Sequence, residues 1–295
     1  MTLTESILLG LLQGLTEFLP VSSSGHLVIL RQLLGTSAAE TGILFDVMLH
    51  LGTLAAVFTA FWSDIRRLAR ETVCIFRDGI QNLKMLYKKL RTGEEPRYTR
   101  IIHNNYRKFI LLILISTIPT AFIGMVAEPA VEFASGSLLA AGIGLYVTSV
   151  MLLVVDFIKD GEKLPRDAGY WCAVVIGVCQ GLAVFPGVSR SGITIAACLL
   201  CGFHKKFSVK YSFIMSIPAI LGAAIWELRS LSGIKFQALP FLYGLIGVII
   251  AGVVGYFCIG IMIKLIRRKR FRYFACYCFL IGTAALVCHF VMGAS

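Results

Sequence analysis

Six stretches of this 295-residue sequence, at about 44–62, 109–126, 138–155, 211–228, 240–263 and 273–292, stay apolar over roughly 18 residues or more. A helix of that length crosses the ~30 Å hydrocarbon core of a bilayer. Backbone amides in lipid have to be satisfied within the segment, which leaves helices, and the alternation of barrel strands is absent. A water-soluble domain of this size covers itself with about a quarter charged residues. Here 15% are charged and 57% hydrophobic, so a bilayer has to do the covering. The expected fold class is an all-α polytopic membrane protein. The first 30 residues do not read as a cleaved signal peptide. They lack a basic n-region, and Gln13, Glu17, Pro20 and a serine cluster break their apolar stretch.

The formal net charge of +12 would suit nucleic acid if it were gathered on one face. It is sorted between loops instead. Residues 63–108 carry twelve Lys and Arg, 156–169 three, 202–210 three and 264–272 six; on the other side 127–137 carry none, 228–238 two and the first 43 residues only Arg31. That is the pattern of the positive-inside rule, and it excludes a nucleic-acid partner while leaving a patch for anionic lipid head groups. The parity holds only if 170–201 enters and leaves from the cytoplasmic side and 1–43 from the outside. Both stretches are too short for two crossings and are broken by Pro, Gly and Ser, so both are expected to be re-entrant helical hairpins. The polar stretch 63–108, with its spaced apolar residues, reads as amphipathic helices on the membrane surface.

The two broken stretches also resemble each other. Gln13 to His26 aligns without gaps on Gln180 to Ile193, with eight of fourteen pairs identical. Three spanning helices separate the copies, so the second enters the membrane upside down, as an inverted-topology repeat. The chain then reads as one membrane domain over 1–295, with repeat 1 about 1–155, including the insert 63–108, and repeat 2 about 170–295. The two hairpins are expected to meet near the midplane.

Ionisable groups at membrane depth are costly and point to function. Here they are Glu17 and His26 in the first hairpin, Arg190 in the second, and Asp46 and His50 at the start of the first spanning helix. Facing hairpins would bring Arg190 opposite Glu17, His26 and the serines. The turns around Gly25 and Gly187 would offer backbone amides for an anion, and Arg190 a planar fork for two phosphate oxygens. That set suits phosphoryl transfer. Ser22, Ser23 and Ser24 supply hydroxyls, and His26 a base, acid or nucleophile. Glu17, with Gln13 one turn earlier, could hold a divalent cation. Ser189, Arg190, Ser191 and Thr194 would clamp charge in the transition state. The plainer alternatives are serines bonded to helix backbones, a structural His50 and His289, and a Glu17–Arg190 ion pair with no chemistry. The Cys198–Cys201 pair lies on an apolar run without a second pair and is not read as a metal or redox site.

QGLTEFLPVSSSGH (13–26) and FPGVSRSGIT (185–194) closely resemble the two signature motifs of the undecaprenyl pyrophosphate phosphatase family, also called the bacitracin-resistance family. FDVMLHLGTLAAVFTAFW (45–62) is similar to the helix that follows the first motif in that family. The resemblance implies hydrolysis of undecaprenyl pyrophosphate to the monophosphate, which recycles the carrier for cell-wall polymers and confers bacitracin resistance. It implies six transmembrane helices plus the two re-entrant hairpins. The multi-pass chain would sit in the bacterial cytoplasmic membrane with its site towards the outer, periplasmic side. It also implies a divalent cation, Mg2+ or Ca2+, as cofactor. Carried over by residue, the family's glutamate-rich motif falls on Gln13 and Glu17, with Gln13 at a position that is Glu in some members. Ser23 falls on the serine regarded as nucleophile, with His26 beside it as base or rival nucleophile. Ser24 stands where Thr is also familiar, and the arginine motif gives Ser189, Arg190, Ser191 and Thr194.

Two rivals remain at this stage. A lipid phosphatase of the acid phosphatase type needs a later His with an Asp partner, and His204 in its basic loop has none. A lipid transporter or flippase would also use inverted repeats with broken helices. The Ser-His-Arg-Glu set is surplus to a carrier and sufficient for a phosphatase. The sequence is compatible with a homo-oligomer.

Overall fold

The computed structural model describes all residues except 1, 36–42, 94, 96, 159–160, 228–237, 268–270 and 294–295. Among them, regular structure is helical. In chain order the helices are α1 (Leu3–Phe18), α2 (Ser23–Leu34), α3 (Ile43–Ala60), α4 (Trp62–Thr92), α5 (Asn105–Ala134) and α6 (Leu138–Phe157). A 3-10 turn (Pro165–Asp167) leads to α7 (Tyr170–Leu182), α8 (Arg190–Leu200), α9 (Lys205–Glu227), α10 (Ala238–Arg267) and α11 (Phe271–Gly293).

All six expected spans fall on helices. Helices α5, α6, α9, α10 and α11 are each long and apolar enough to cross a bilayer. Helix α3 meets that test only jointly with α4, from which it is bent by 86°. It is the sixth candidate span, and α4 runs across its end. Helix α5 is longer than the expected 109–126 at both ends. The Asn104 side chain caps it by accepting from the Arg107 N–H at 2.8 Å, and it continues through Pro119 and Pro129. Proline is tolerated inside membrane helices because neighbouring groups satisfy the freed backbone. The polar stretch 63–108 is one 31-residue helix with a non-helical return, not several short helices. The loop cations Lys159, Arg229, Lys235, Arg268, Lys269 and Arg270 lie outside the described residues.

Helices α1, α2, α7 and α8 have 16, 12, 13 and 11 residues. At ~1.5 Å per residue none reaches ~30 Å. They pair as α1 with α2 and α7 with α8, which makes the two hairpins. Neither hairpin packs mainly within its own half. Helix α1 lies on α10, while α7, its counterpart, lies on α5, the counterpart of α10; α6 and α11 pack on each other across the centre. The crossed contacts use equivalent glycines. A Cβ on Gly10 would sit 2.7 Å from the Gly247 carbonyl oxygen, and one on Gly177, 167 positions later, 2.2 Å from that of Ser116. Hydrogen bonds between spanning helices tie the centre: Ser149 donates to the Ala275 carbonyl at 2.8 Å, and the Tyr146 and Thr283 hydroxyls pair at 2.8 Å. One core cluster joins Phe18 and Val21 at the first hairpin tip to Leu145, Ile195, Phe213 and Met262.

Candidate active site

The tips of the hairpins touch, and each is built by the same local hydrogen bonds. Ser22 caps α2, its side chain accepting from the Gly25 N–H at 3.3 Å; Ser189 caps α8, accepting from the Gly192 N–H at 3.1 Å. Each capping hydroxyl also pairs with the serine two positions on, Ser22 with Ser24 at 3.2 Å and Ser189 with Ser191 at 3.3 Å. Ser22 has φ +69°, which a non-glycine residue adopts only when its surroundings impose it. The opposite tip packs directly against this turn. A Cβ on Gly25 would lie 2.8 Å from Gly187 Cα, and Ser191 donates to the Leu19 carbonyl at 3.2 Å. Thr148 on α6 fixes the second tip, donating to the Gly187 carbonyl at 2.9 Å and accepting from the Ser189 N–H at 2.8 Å. Two helix N-termini thus start side by side inside the protein, a favourable place for an anion.

Glu17 ends α1 beside this junction with 4% of its side chain exposed. Its Oε1 accepts from Arg190 Nη2 at 2.5 Å, and its Oε2 accepts from Ser23 Oγ at 2.6 Å and Gln13 Nε2 at 2.9 Å. Ser23 and Arg190 occupy equivalent places in the two repeats, so one carboxylate holds the same position from both copies. His50 on α3 joins the cluster: its Nδ1 is 3.0 Å from Gln13 Nε2 and 3.8 Å from Glu17 Oε2. With Gln13 donating, His50 carries its proton on Nε2. Gln13 Oε1 is buried without a partner. The side chains of Arg190 and His50 are 20% and 38% exposed, so the cluster opens past them.

The other expected residues divide between this cluster and its support. His26 does not face Ser23 or Glu17. Its Nδ1 lies 2.7 Å from the Ser22 carbonyl and its Nε2 2.9 Å from the Tyr277 hydroxyl, with the two rings stacked at 5.6 Å. It donates to the first and accepts from the second, which commits both nitrogens. Thr194 turns back on its own helix, donating to the Arg190 carbonyl at 2.6 Å, and pairs with Ser212 of α9. Asp46, one turn before His50 on α3, forms an ion pair with Arg31. The sequence offers His50 both as a functional group at membrane depth and as a structural one, because an apolar helix gives no sign of which face meets the hairpin. Tyr277 and Thr148 carried no signal at all, since single polar residues on apolar spans are common.

Residues 6–284 match the family described as bacitracin resistance protein BacA. The chain belongs to that family. An undecaprenyl-diphosphatase of Methanosphaera stadtmanae is 37% identical over 288 residues, spanning 98% of each chain. One from Alkaliphilus metalliredigens is 38% identical, over 97% of this chain and 98% of its own. A third, from Korarchaeum cryptofilum, is 35% identical over 97% and 99%. The BacA family match covers both hairpin tips and every side chain of the cluster described above, so that geometry lies in the part of the chain the family shares.

Proposed function

We infer that this BacA-family chain hydrolyses undecaprenyl pyrophosphate to undecaprenyl phosphate and inorganic phosphate, the activity its relatives are named for. It thereby returns the lipid carrier to cell-wall synthesis and confers bacitracin resistance. The observation that carries this reading is the buried Glu17 carboxylate, which accepts at once from Ser23 of one hairpin and Arg190 of the other. Ser23, already donating to Glu17, attacks the terminal phosphorus and passes its proton to that carboxylate. The new P–O bond replaces the bridging one, and undecaprenyl phosphate departs. Water then cleaves the phosphoserine, and Ser23 recovers its proton. Arg190 keeps further N–H donors for the non-bridging oxygens, and the N-terminal amides of α2 and α8 stand beside it. The hydrogen bonds of His26 to Ser22 and Tyr277 favour a positioning role for it, holding the first tip.

The donor set fits a divalent cation, Mg2+ or Ca2+. Glu17 and the unpartnered Gln13 Oε1 would hold it, and it would neutralise charge on the departing phosphate. Among the described residues no group of three or more His, Cys, Asp or Glu could hold a metal, so substrate oxygens and water would complete its shell. Loop charge supports a place in the cytoplasmic membrane with the site open to the outer side.

The test is phosphate release from a polyprenyl pyrophosphate by the purified protein, with and without chelator, for wild type and Arg190→Ala, Ser23→Ala and His26→Ala. Metal-dependent release is expected from wild type, with loss in Arg190→Ala and Ser23→Ala. The crossed packing of inverted repeats favours a second reading, a lipid transporter. Folded protein that binds the lipid and releases no phosphate would select that reading instead.

A further inference from the structure

Helix α4 carries three rows of side chains. Its acidic residues Asp64, Glu71 and Asp78 recur every seven positions and share one face. Each is tied to the rest of the protein. Asp64 accepts from Lys210 at 2.9 Å and Tyr106 at 3.2 Å, Glu71 from Arg107 Nε at 2.8 Å, and Asp78 from Arg107 Nη1 at 2.6 Å. Asn82 adds two hydrogen bonds to Thr99, so the returning chain lies along this side too.

A second row runs opposite. Ala69, Val73, Phe76, Ile80, Leu83, Tyr87 and Leu90 alternate four and three residues apart, a stripe turned about 170° from the acids at 100° per residue. It is exposed throughout, Phe76 by 68% and Leu90 by 79%. The third row, Arg70, Arg77, Lys84 and Arg91, follows one edge of the stripe, each one residue after a member of it, and all four are exposed. The 86° bend from α3 sets the direction of the α4 axis, and the bonds of the acidic row to the protein turn the stripe away from it. With α3 across the bilayer, α4 lies in its plane, at the end where basic loops gather.

We propose that this stripe is a membrane-docking face that sinks into the cytoplasmic leaflet, with the four basic residues on anionic phospholipid head groups. An apolar stripe edged with Lys and Arg on a helix parallel to the bilayer is the form such contacts take. A second copy of the chain is the poorer occupant. Paired antiparallel, the basic row would face itself; paired parallel, it would face Thr72, Gly79 and Leu86, and neither arrangement offers a carboxylate.

The test places a fluorophore in the stripe of the full-length protein. Phe76→Trp and, separately, Leu83→Trp are reconstituted in nanodiscs whose phosphatidylcholine or phosphatidylglycerol carries brominated acyl chains, and the emission of the parent protein is subtracted. Both added tryptophans should be quenched by bromine, more strongly when phosphatidylglycerol is present. The quadruple variant R70E/R77E/K84E/R91E should cut that quenching by about half or more with phosphate release unchanged. Quenching by aqueous iodide in place of bromine would overturn the proposal, as would equal quenching in wholly zwitterionic discs. Emission that follows the protein-to-lipid ratio and ignores bromine would overturn it in favour of a second copy.

Discussion

Glu17 and Arg190 sit in different hairpins, 173 positions apart, and their side chains meet at 2.5 Å. Truncating one strands the other in a buried site, which costs about 3–5 kcal/mol in comparable pairs. The pair and Ser23 act on one event, so losses should not multiply. Glu17→Gln and Arg190→Ala are each expected to lower phosphate release by about 10²-fold or more, with the double variant no slower than the worse single. Singles whose losses multiply in the double would mean that the two residues act separately, and the shared-site reading would fail. At this scale the sequence was informative where the repeat could be used. Aligning the two copies brought Gln13, Glu17, Ser23 and Arg190 together, and the structure joins them by hydrogen bonds. It was uninformative about orientation. His26 is adjacent in sequence to the site yet turns to Tyr277, and His50 arrives from a helix whose facing side no periodicity marks.

Among elements, α4 depends most on charge. The Arg107 hydrogen bonds hold the Glu71 and Asp78 carboxyls below their ordinary values of 4.5 and 3.8. Carboxyls with lowered folded-state values contribute stability that is complete above the unfolded values and disappears as pH falls through the folded ones. Hydrogen exchange of the α4 amides, corrected for the intrinsic pH effect, should therefore show constant protection from about pH 7 to pH 5 and a loss below about pH 4. Arg107→Gln should show the low protection already at neutral pH. Protection in the wild type that stays flat into strong acid would mean that packing alone holds the helix. Element types were legible throughout because apolar length and polar composition are strong signals. Boundaries were not: α5 runs past 126 through Pro129, and the mixed composition of 63–92 hid a single helix whose regularity lies in its seven-residue rows.

Across the whole molecule, the crossed packing makes each half dependent on the other. Helix α1 lays Gly10 and Gly14 against α10, and α7 lays Gly177 and Gly181 against α5, at distances where a Cβ would collide with its neighbour. These are surfaces matched to a partner in the other half. Each hairpin also leaves backbone groups at its tip that lipid cannot satisfy and the other half does: Ser191 donates to the Leu19 carbonyl, and Thr148 of α6 to the Gly187 carbonyl. A half expressed alone would have to expose that backbone in the membrane or collapse onto itself. Cutting the chain at Asp160 leaves both hairpins and all six spans intact. The two pieces, 1–160 and 161–295, should then be unstable when expressed singly, giving no thermal transition and no phosphate release. Co-expressed, they should purify together and recover the activity, because the contacts that define the site are between halves. A single half that purifies as a folded species would show that the hairpin is satisfied within its own repeat, and the crossed arrangement would then lose its role in assembling Glu17 with Arg190.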